Sequence, residues 1–461
     1  MTGIPAIAPR RIAASKAASA FGHRNYRLFF AGQAVSLVGT WMQQVAQGWL
    51  VLQLTGDPFW LGVVATAQFL PVMILGLFAG VLADVLPKRQ TLLAVQVVMM
   101  TLAIVLTILT AANVVQVWMI VVLAALLGCA NAVDMPVRQA FAIEMVGPRD
   151  IGNAVAINSA MFNGARVVGP ALAGLTIGAF GMAPAFALNA ASFLAVIVGL
   201  SMMRDEELHQ ARLVPRPRSV AAVFSNLGEG LAFVRHTPLV LLAVTTVGLT
   251  ATFGMNFQVV IPPLAQSALH SDASGYGFLM TASGLGALAA AVVLVIGGKP
   301  KPMRIALGAI VLGVASIGLA MSTTYPLSML LMIPIGAGGI TMAATANASI
   351  QLAVPDGLRG RVMSVYTTVF SASMPFGGLL MGVLASSLGI LEAIAIGGVL
   401  SLATGLIALA WYRRIRVPRV TASDEVVREV ETAAVGSQSI EPKTSAAFSP
   451  PNPNEVLSTR R

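Results

Sequence analysis

The chain has 461 residues, of which 57% are hydrophobic and 10% are charged, and its net charge is +10. Soluble domains carry roughly 25% charged residues, so the composition excludes a soluble protein and indicates an integral membrane protein with several spans. The single cysteine, Cys129, excludes a disulfide framework, and the four histidines lack the spacing of metal ligands. We therefore expect neither a metal site nor a cofactor.

Apolar runs of about 20 residues, the length needed to cross a bilayer, follow one another along the chain. Spans 1 to 6 are predicted at 27–54, 60–83, 90–112, 115–135, 153–180 and 184–203. Spans 7 to 12 are predicted at 238–261, 275–297, 304–323, 327–350, 360–386 and 391–412. The predicted fold is all-α, with twelve transmembrane helices arranged as two six-helix bundles.

A long polar segment divides the predicted spans six and six. The predicted domains are a cytoplasmic N-terminal arm (1–25), an N-terminal six-helix bundle (26–203), a cytoplasmic linker (204–236), a C-terminal six-helix bundle (237–413) and a cytoplasmic tail (414–461). The tail is predicted to be disordered, because it is rich in proline, serine and charged residues.

The lysines and arginines lie on one side of this topology. Connections after odd-numbered spans hold none, whereas those after even-numbered spans include Lys88, Arg89, Arg138, Arg149, Lys301, Arg304, Arg359 and Arg361. The positive-inside rule therefore predicts a multi-pass protein of the cell (inner) membrane with both termini in the cytoplasm. Topology also accounts for the net positive charge, so nucleic acid is not an expected partner.

The two halves of the chain resemble each other. The segment VGPRDIGNAVAINSAMFNGARVVGPALAG, from Val146, aligns with VPDGLRGRVMSVYTTVFSASMPFGGLLMG, from Val354. A repeat of this kind is typical of secondary transporters, whose substrate site lies near the midplane between the repeats. Arg166 aligns with Met374, so this charge is an addition to one half.

Three stretches resemble the major facilitator superfamily. GLFAGVLADVLPKRQTLL, residues 76–93, resembles the loop between its second and third helices, although Val85 and Pro87 depart from that pattern. Residues 21–58 and 131–174 resemble the branch that contains bacterial siderophore and macrolide exporters, and GARVVGPALAG, residues 164–174, resembles the Gly-Pro motif of proton-driven antiporters. The resemblance implies the major facilitator fold and proton-coupled export of an amphiphilic siderophore, drug or metabolite.

Gating and coupling residues are predicted largely from this resemblance. They are Asp84, Lys88, Arg89, Asp134, Arg138, Gly169, Pro170 and Gly174. Asp84 is expected to latch the cytoplasmic turn to Arg138 or to residues 354–361, or else simply to end a helix. Asp134, near the predicted end of span 4, is the best candidate for the coupling carboxylate, because no acid lies at the centre of a predicted span. The Gly-Pro motif is expected to bend span 5 and to pack against span 8, or to serve packing alone.

Polar side chains recur at helical spacing on spans 1, 5 and 7. The predicted substrate cavity consists of Thr40, Gln44, Gln47, Gln68, Asn163, Arg166, Thr252 and Asn256. Hydrogen bonding between helices is the alternative role for the amides. Arg166 cannot shed its proton, and a span centre costs it about 2.5–3.5 kcal/mol on insertion scales. It is therefore expected either to sense an anion or switch between transport states in a hydrated cavity, or to be satisfied by Asn163 and Gln44.

Other function classes stay open at this point. They are an importer or uniporter of a small organic solute, and a non-transporting membrane sensor or scaffold. An enzyme is not expected, because no nucleophile–base or metal constellation occurs, and the chain lacks the GxxxxGK[ST] motif of nucleotide-driven pumps. The expected partners are a small-molecule substrate and the lipid bilayer, and the protein is expected to be a monomer.

Overall fold

The computed structural model describes residues 19–209, 220–298 and 300–415, without the side chains of residues 77–85, 220–224 and 226. Most of the predicted N-terminal arm and nearly all of the predicted tail lie outside the described residues, as does the side chain of Asp84. Within the described ranges the regular structure is entirely helical, as the sequence predicted.

The helices follow the predicted spans in order. They are α1 Arg24–Thr55, α2 Pro58–Val85, α3 Lys88–Ala111, α4 Val117–Phe180, α5 Met182–Ser201, α6 Val220–His236, α7 Pro238–Gly254, α8 Phe257–Pro263, α9 Ala273–Ile296, α10 Met303–Ala320, α11 Tyr325–Ala353, α12 Asp356–Leu388 and α13 Ile390–Arg414. The described chain contains ten segments that are long and apolar enough to cross a membrane. Helix α1 is outside that set, and its glutamines lower its hydropathy.

The helix ends carry recognisable sequence signals. Gly56 ends α1 in the left-handed region, with φ of 65°, which glycine adopts without steric cost. The carboxylate of Asp272 accepts a hydrogen bond from the backbone N–H of Gly275 and caps the first turn of α9. Pro58 and Pro238 stand at the first positions of α2 and α7, where a missing N–H costs nothing.

The helices differ from the predicted spans in two places, and the predicted linker contains a helix. Helix α4 runs through the predicted loop between spans 4 and 5 and is interrupted at Gly147, with φ of 70° and ψ of 173°. Predicted span 7 is divided at Met255 and Asn256 into α7 and α8. The predicted linker contains α6, whose Gly230 packs against the backbone of Arg361 in α12. These differences arise from single backbone positions and tertiary contacts that hydropathy does not report.

The hydrophobic clusters show where the N-terminal half (19–209) and the C-terminal half (220–415) meet. The largest cluster takes buried side chains from both halves, among them Trp49, Leu61, Ile177, Phe257, Tyr276 and Met381. Other clusters stay within one half: one includes Leu92, Phe141 and Leu200, and another includes Ile305, Met342 and Val362. We call the end with the separate clusters the basic end, because Lys88, Arg138, Arg304 and Arg359 lie there, and the opposite end the closed end.

Small residues allow the backbones of the halves to approach closely. A Cβ added at Gly277 of α9 would lie 2.5 Å from the carbonyl oxygen of Pro170, and one added at Gly62 of α2 would lie 2.6 Å from that of Gly378. Van der Waals packing of this kind drives helix association in lipid, where the hydrophobic effect between helices is lost. The closed end therefore depends on glycine at these positions.

Gly277→Ala is expected to destabilise the protein, because the new methyl group meets a backbone oxygen that cannot rotate away. Overpacking of this type costs about 1–3 kcal/mol. The melting temperature of the detergent-purified protein, followed by tryptophan fluorescence, measures the effect. Gly164→Ala is the matched control, since no atom lies within 4 Å of its Cβ position. Equal melting temperatures for the two variants would contradict the proposed close contact.

Candidate functional site

One face of α4 changes from buried to exposed along its length. Residues three to four apart share a helical face, and on the face that meets α1 and α9 the side chains of Pro170, Ala173 and Ile177 are buried. Towards the basic end the same face is exposed, with Phe162 at 46%. Arg166 lies at the transition. We call the space bordered by Trp41, Phe162, Asn163 and Arg166 the vestibule.

Arg166 contacts an aromatic side chain rather than an acid. Its guanidinium carbon lies 5.8 Å from the ring centroid of Trp41, within the range of cation–π attraction. Trp41 also meets Phe162 edge to face, with centroids 5.8 Å apart. Among the described residues, no carboxylate oxygen lies within 4 Å of the Arg166 guanidinium.

Neither of the two amides predicted to satisfy Arg166 accepts a hydrogen bond from it in the described structure. Gln44 Oε1 accepts a 2.8 Å hydrogen bond from Nε2 of Gln258, which lies on α8 in the other half. Asn163 Nδ2 donates to the carbonyl of Ser159, while Asn163 Oδ1 is buried and accepts no hydrogen bond in the described structure. The interpretation that Gln44 and Asn163 satisfy Arg166 is therefore wrong.

The other predicted cavity residues are distributed over three helices. The hydroxyls of Thr40 and Thr252 donate to carbonyls one turn back in their own helices. Asn256 lies at the break between α7 and α8, where its Nδ2 donates to the carbonyl of Thr252 at 2.6 Å. Gln47 is buried on α1, and Gln68 is buried on α2, where its backbone carbonyl lies against α4. The structure thus brings Gln44 near the α7–α8 break and keeps Gln68 in the contact of α2 with α4.

Asp134 is fully buried in a polar cluster inside the N-terminal half. One carboxylate oxygen forms an ion pair with Arg138, one turn along α4, and the other accepts a 3.0 Å hydrogen bond from Gln96 of α3. Asp134 lies 17 residues after Val117 and 13 before Gly147, so the helix continues well beyond residue 135, where hydropathy ended span 4.

Lys88 and Arg89 form ion pairs between the start of α3 and neighbouring segments. Lys88 Nζ lies 2.7 Å from Oε1 of Glu144, and Arg89 Nη1 lies 2.7 Å from Oδ1 of Asp205. Arg89 also donates to the carbonyls at the end of α5. Sequence reasoning missed Glu144 as a partner, because it placed that residue in a loop.

The Gly-Pro segment lies between α1 and α9. Gly169 packs directly against Trp41, and the Cβ position of Gly174 is 3.0 Å from the backbone of Ser274. Sequence reasoning also missed Gln258, because the break after α7 changes which face this residue occupies. Its spacing from Thr252 therefore did not indicate a contact with Gln44.

A family model described as transmembrane secretion effector matches residues 15–442. The chain is 23% identical over 401 residues to the staphyloferrin A transporter of Staphylococcus aureus, with 85% of this chain and 97% of that protein covered. It is 28% identical over 355 residues to the multidrug efflux pump Tap of Mycolicibacterium fortuitum, with coverages of 75% and 85%.

Solved transporter structures share the fold. The peptide transporter POT in complex with sulfate matches with a TM-score of 0.67 at 15% identity, covering 85% of this chain and 94% of that one. A mutant of the nucleoside transporter NupG matches with a TM-score of 0.64 at 13% identity, covering 84% and 100%. These likenesses are informative about the fold alone.

Asp134→Leu is expected to destabilise the protein by about 3–5 kcal/mol, because it leaves the Arg138 charge buried without its partner. The double variant Asp134→Leu/Arg138→Leu is expected to recover most of that loss, since both charges are then absent. The midpoint of chemical denaturation, determined for each purified variant, measures the loss and its recovery. If the double variant is no more stable than Asp134→Leu, the loss of stability does not come from the unpaired Arg138 charge.

Proposed function

The chain belongs to the transmembrane secretion effector family of major facilitator transporters, as its motifs predicted, and we propose that it exports an amphiphilic organic compound by alternating access. The observation that carries the proposal is the arrangement of the two halves, which share one hydrophobic cluster at the closed end and have separate clusters at the basic end. Such an arrangement is one of the two states that alternating access requires.

The proposed membrane topology has twelve spans. The two segments of α4 on either side of Gly147 count as separate spans, and α1 joins the apolar helices despite its amides. Residues 26–203 and 237–413 then form two six-helix bundles, joined by the linker 204–236 and followed by the tail 414–461. By the positive-inside rule the basic end faces the cytoplasmic side of the cell membrane, so the vestibule opens to the cytoplasm. The proposed functional unit is a monomer.

The names of two relatives support the proposed substrate class. A staphyloferrin A transporter and a multidrug efflux pump are among the relatives, which supports export of a siderophore, drug or similar metabolite. Coupling to protons is proposed for Asp134, because a carboxylate buried beside a cation and an amide changes protonation when its surroundings change. The latch at Asp84 is proposed from the family resemblance.

Transport is tested in everted membrane vesicles that contain the full-length protein. The panel consists of staphyloferrin A, a macrolide and a cationic dye, each with and without an inward-acid proton gradient. We expect gradient-dependent accumulation of at least one compound, and we expect Asp134→Asn to remove the dependence on the gradient, because the amide cannot exchange a proton.

Glu229→Gln is the control for that experiment, since Glu229 belongs to an exposed ion pair with Arg361. It is expected to transport like the wild type at equal expression. Accumulation by the wild type that does not depend on the proton gradient would support a uniporter. No accumulation of any compound would support a sensor or scaffold.

A disulfide across the closed end is expected to stop transport. A Cβ at Gly178 of α4 lies 3.9 Å from the Cβ of Ser274 in the first turn of α9, within the disulfide range of about 3.5–4.5 Å. The variant Gly178→Cys/Ser274→Cys, in a Cys129→Ser background, should lose transport on oxidation and regain it on reduction. Each single-cysteine variant should be insensitive to the oxidant. Undiminished transport by cross-linked protein would refute opening at this end.

A further inference from the structure

We infer that the vestibule binds organic anions that carry a planar apolar group, and that Arg166 is the residue that selects them. The inference rests on the proposed function and makes its substrate class more specific. It also separates this protein from a pump for cationic drugs. Four independent features of the vestibule support it.

The first feature is a charge that has no carboxylate partner among the residues that the structure describes. The acids nearest to Arg166 in sequence each have another partner: Asp134 pairs with Arg138, Glu144 pairs with Lys88, and Asp150 bonds His23. A guanidinium stays charged at any physiological pH. A ligand anion that enters the vestibule therefore gains an ion pair without breaking one, whereas a ligand cation meets a like charge.

The second feature is the position of Arg166 on α4. Beyond it, the same face is closed by Pro170, Ala173 and Ile177, and before it the face is exposed at Ser159 and Phe162. Arg166 thus lies at the closed limit of a space that is open at the basic end. A ligand that enters from that end reaches the guanidinium last, where the surrounding water is least and charge interactions are strongest.

The third feature is the aromatic pair. Trp41 holds the guanidinium over its face, and Phe162, edge-on to Trp41, is 46% exposed. An exposed aromatic ring beside a cation offers a stacking surface for a planar group and a charge for the acid attached to it. Neither feature alone distinguishes a ligand class, but their adjacency fits an aromatic or similarly flat acid.

The fourth feature is an unused acceptor. Asn163 lies one turn from Arg166, and its Oδ1 is buried without a hydrogen-bond partner in the described structure. A buried acceptor that stays unpaired costs about 1–3 kcal/mol. A hydroxyl or amide donor on the ligand, next to its acidic group, would satisfy this oxygen.

The test is binding of two probes that share a naphthylmethyl group and carry opposite charges to the full-length protein. Naphthalene-1-acetate and 1-naphthylmethylammonium are titrated by calorimetry into protein held in phosphatidylcholine nanodiscs at neutral pH. We expect the wild type to bind the anion about tenfold more tightly than the cation, a factor that corresponds to about 1.4 kcal/mol. Arg166→Gln should abolish that preference, and Arg166→Lys should keep it in part.

Arg204→Gln is the matched control, because Arg204 is exposed at the basic end and pairs with Glu207. It should bind both probes like the wild type. Equal binding of the two probes, binding of neither, or an unchanged preference in Arg166→Gln would overturn the inference. If Arg166→Gln does not fold, a reduced preference in folded Arg166→Lys would support the guanidinium as the selective group, and a preference equal to that of the wild type would count against it.

Two further arms separate the possible sources of failure. An anionic lipid headgroup carries the same charge as the ligand and could occupy the vestibule in its place. If the anionic probe binds tenfold more weakly in phosphatidylglycerol nanodiscs than in phosphatidylcholine nanodiscs, the headgroup is the occupant and the proposal of a soluble substrate is overturned. Anion-selective binding together with no gradient-driven export in vesicles would refute the proposed function alone. Gradient-driven export without a charge preference would refute the anion site alone.

Discussion

The two halves approach each other through backbone contacts that tolerate no side chain. At Gly277 and Gly284 the neighbouring atoms are the carbonyl oxygens of Pro170 and Arg166, and at Gly62 the neighbour is that of Gly378. Because these contacts cluster towards the closed end, the helices diverge towards the basic end. The exposure of Ser159 and the partial burial of Arg166 follow from that divergence, so the vestibule is a consequence of where glycine occurs.

Two charges inside the N-terminal half are stabilised in different ways. Asp134 has its compensation within the fold, since Arg138 and Gln96 occupy both carboxylate oxygens. The guanidinium of Arg166 lies over the ring of Trp41, and no carboxylate oxygen of the described residues lies within 4 Å of it. A buried, internally paired charge suits a proton-coupling role that is independent of the substrate. A charge that lacks an internal counterion suits contact with a substrate that supplies one. Under the proposed antiport mechanism, the N-terminal half would contain separate places for proton coupling and for substrate binding.

The sequence predicted the order of the helices well, because each apolar run is long and bounded by glycine, proline or charge. It could not locate the interruption of α4, since the pair Gly147–Pro148 is equally suited to a loop and to a left-handed residue between two helical segments. It also could not locate the break after α7. There Asn256 donates to the carbonyl of Thr252 and thereby compensates for a backbone bond that the break removes. Both features depend on single dihedral angles rather than on periodicity.

The internal repeat explains which site residues were predictable and what distinguishes Arg166. Gly169 packs against α1, and its counterpart Gly377 packs against α7, the corresponding helix of the other half. Gly174 meets α9, and its counterpart Gly382 meets α2, so each pair makes equivalent contacts. These contacts are symmetric, and an alignment of the halves suffices to anticipate them.

Arg166 breaks that symmetry, because its counterpart is Met374. The glycines that both halves share form the contact at the closed end. Because the charge is present in one half alone, the space between the halves is lined at this position by a cation on one side and by an uncharged side chain on the other. A ligand with an acidic end and an apolar end fits such a space in one orientation. In the proposed alternating-access cycle the orientation matters, because an acid bound to Arg166 would remain with the N-terminal half when the C-terminal half moves away.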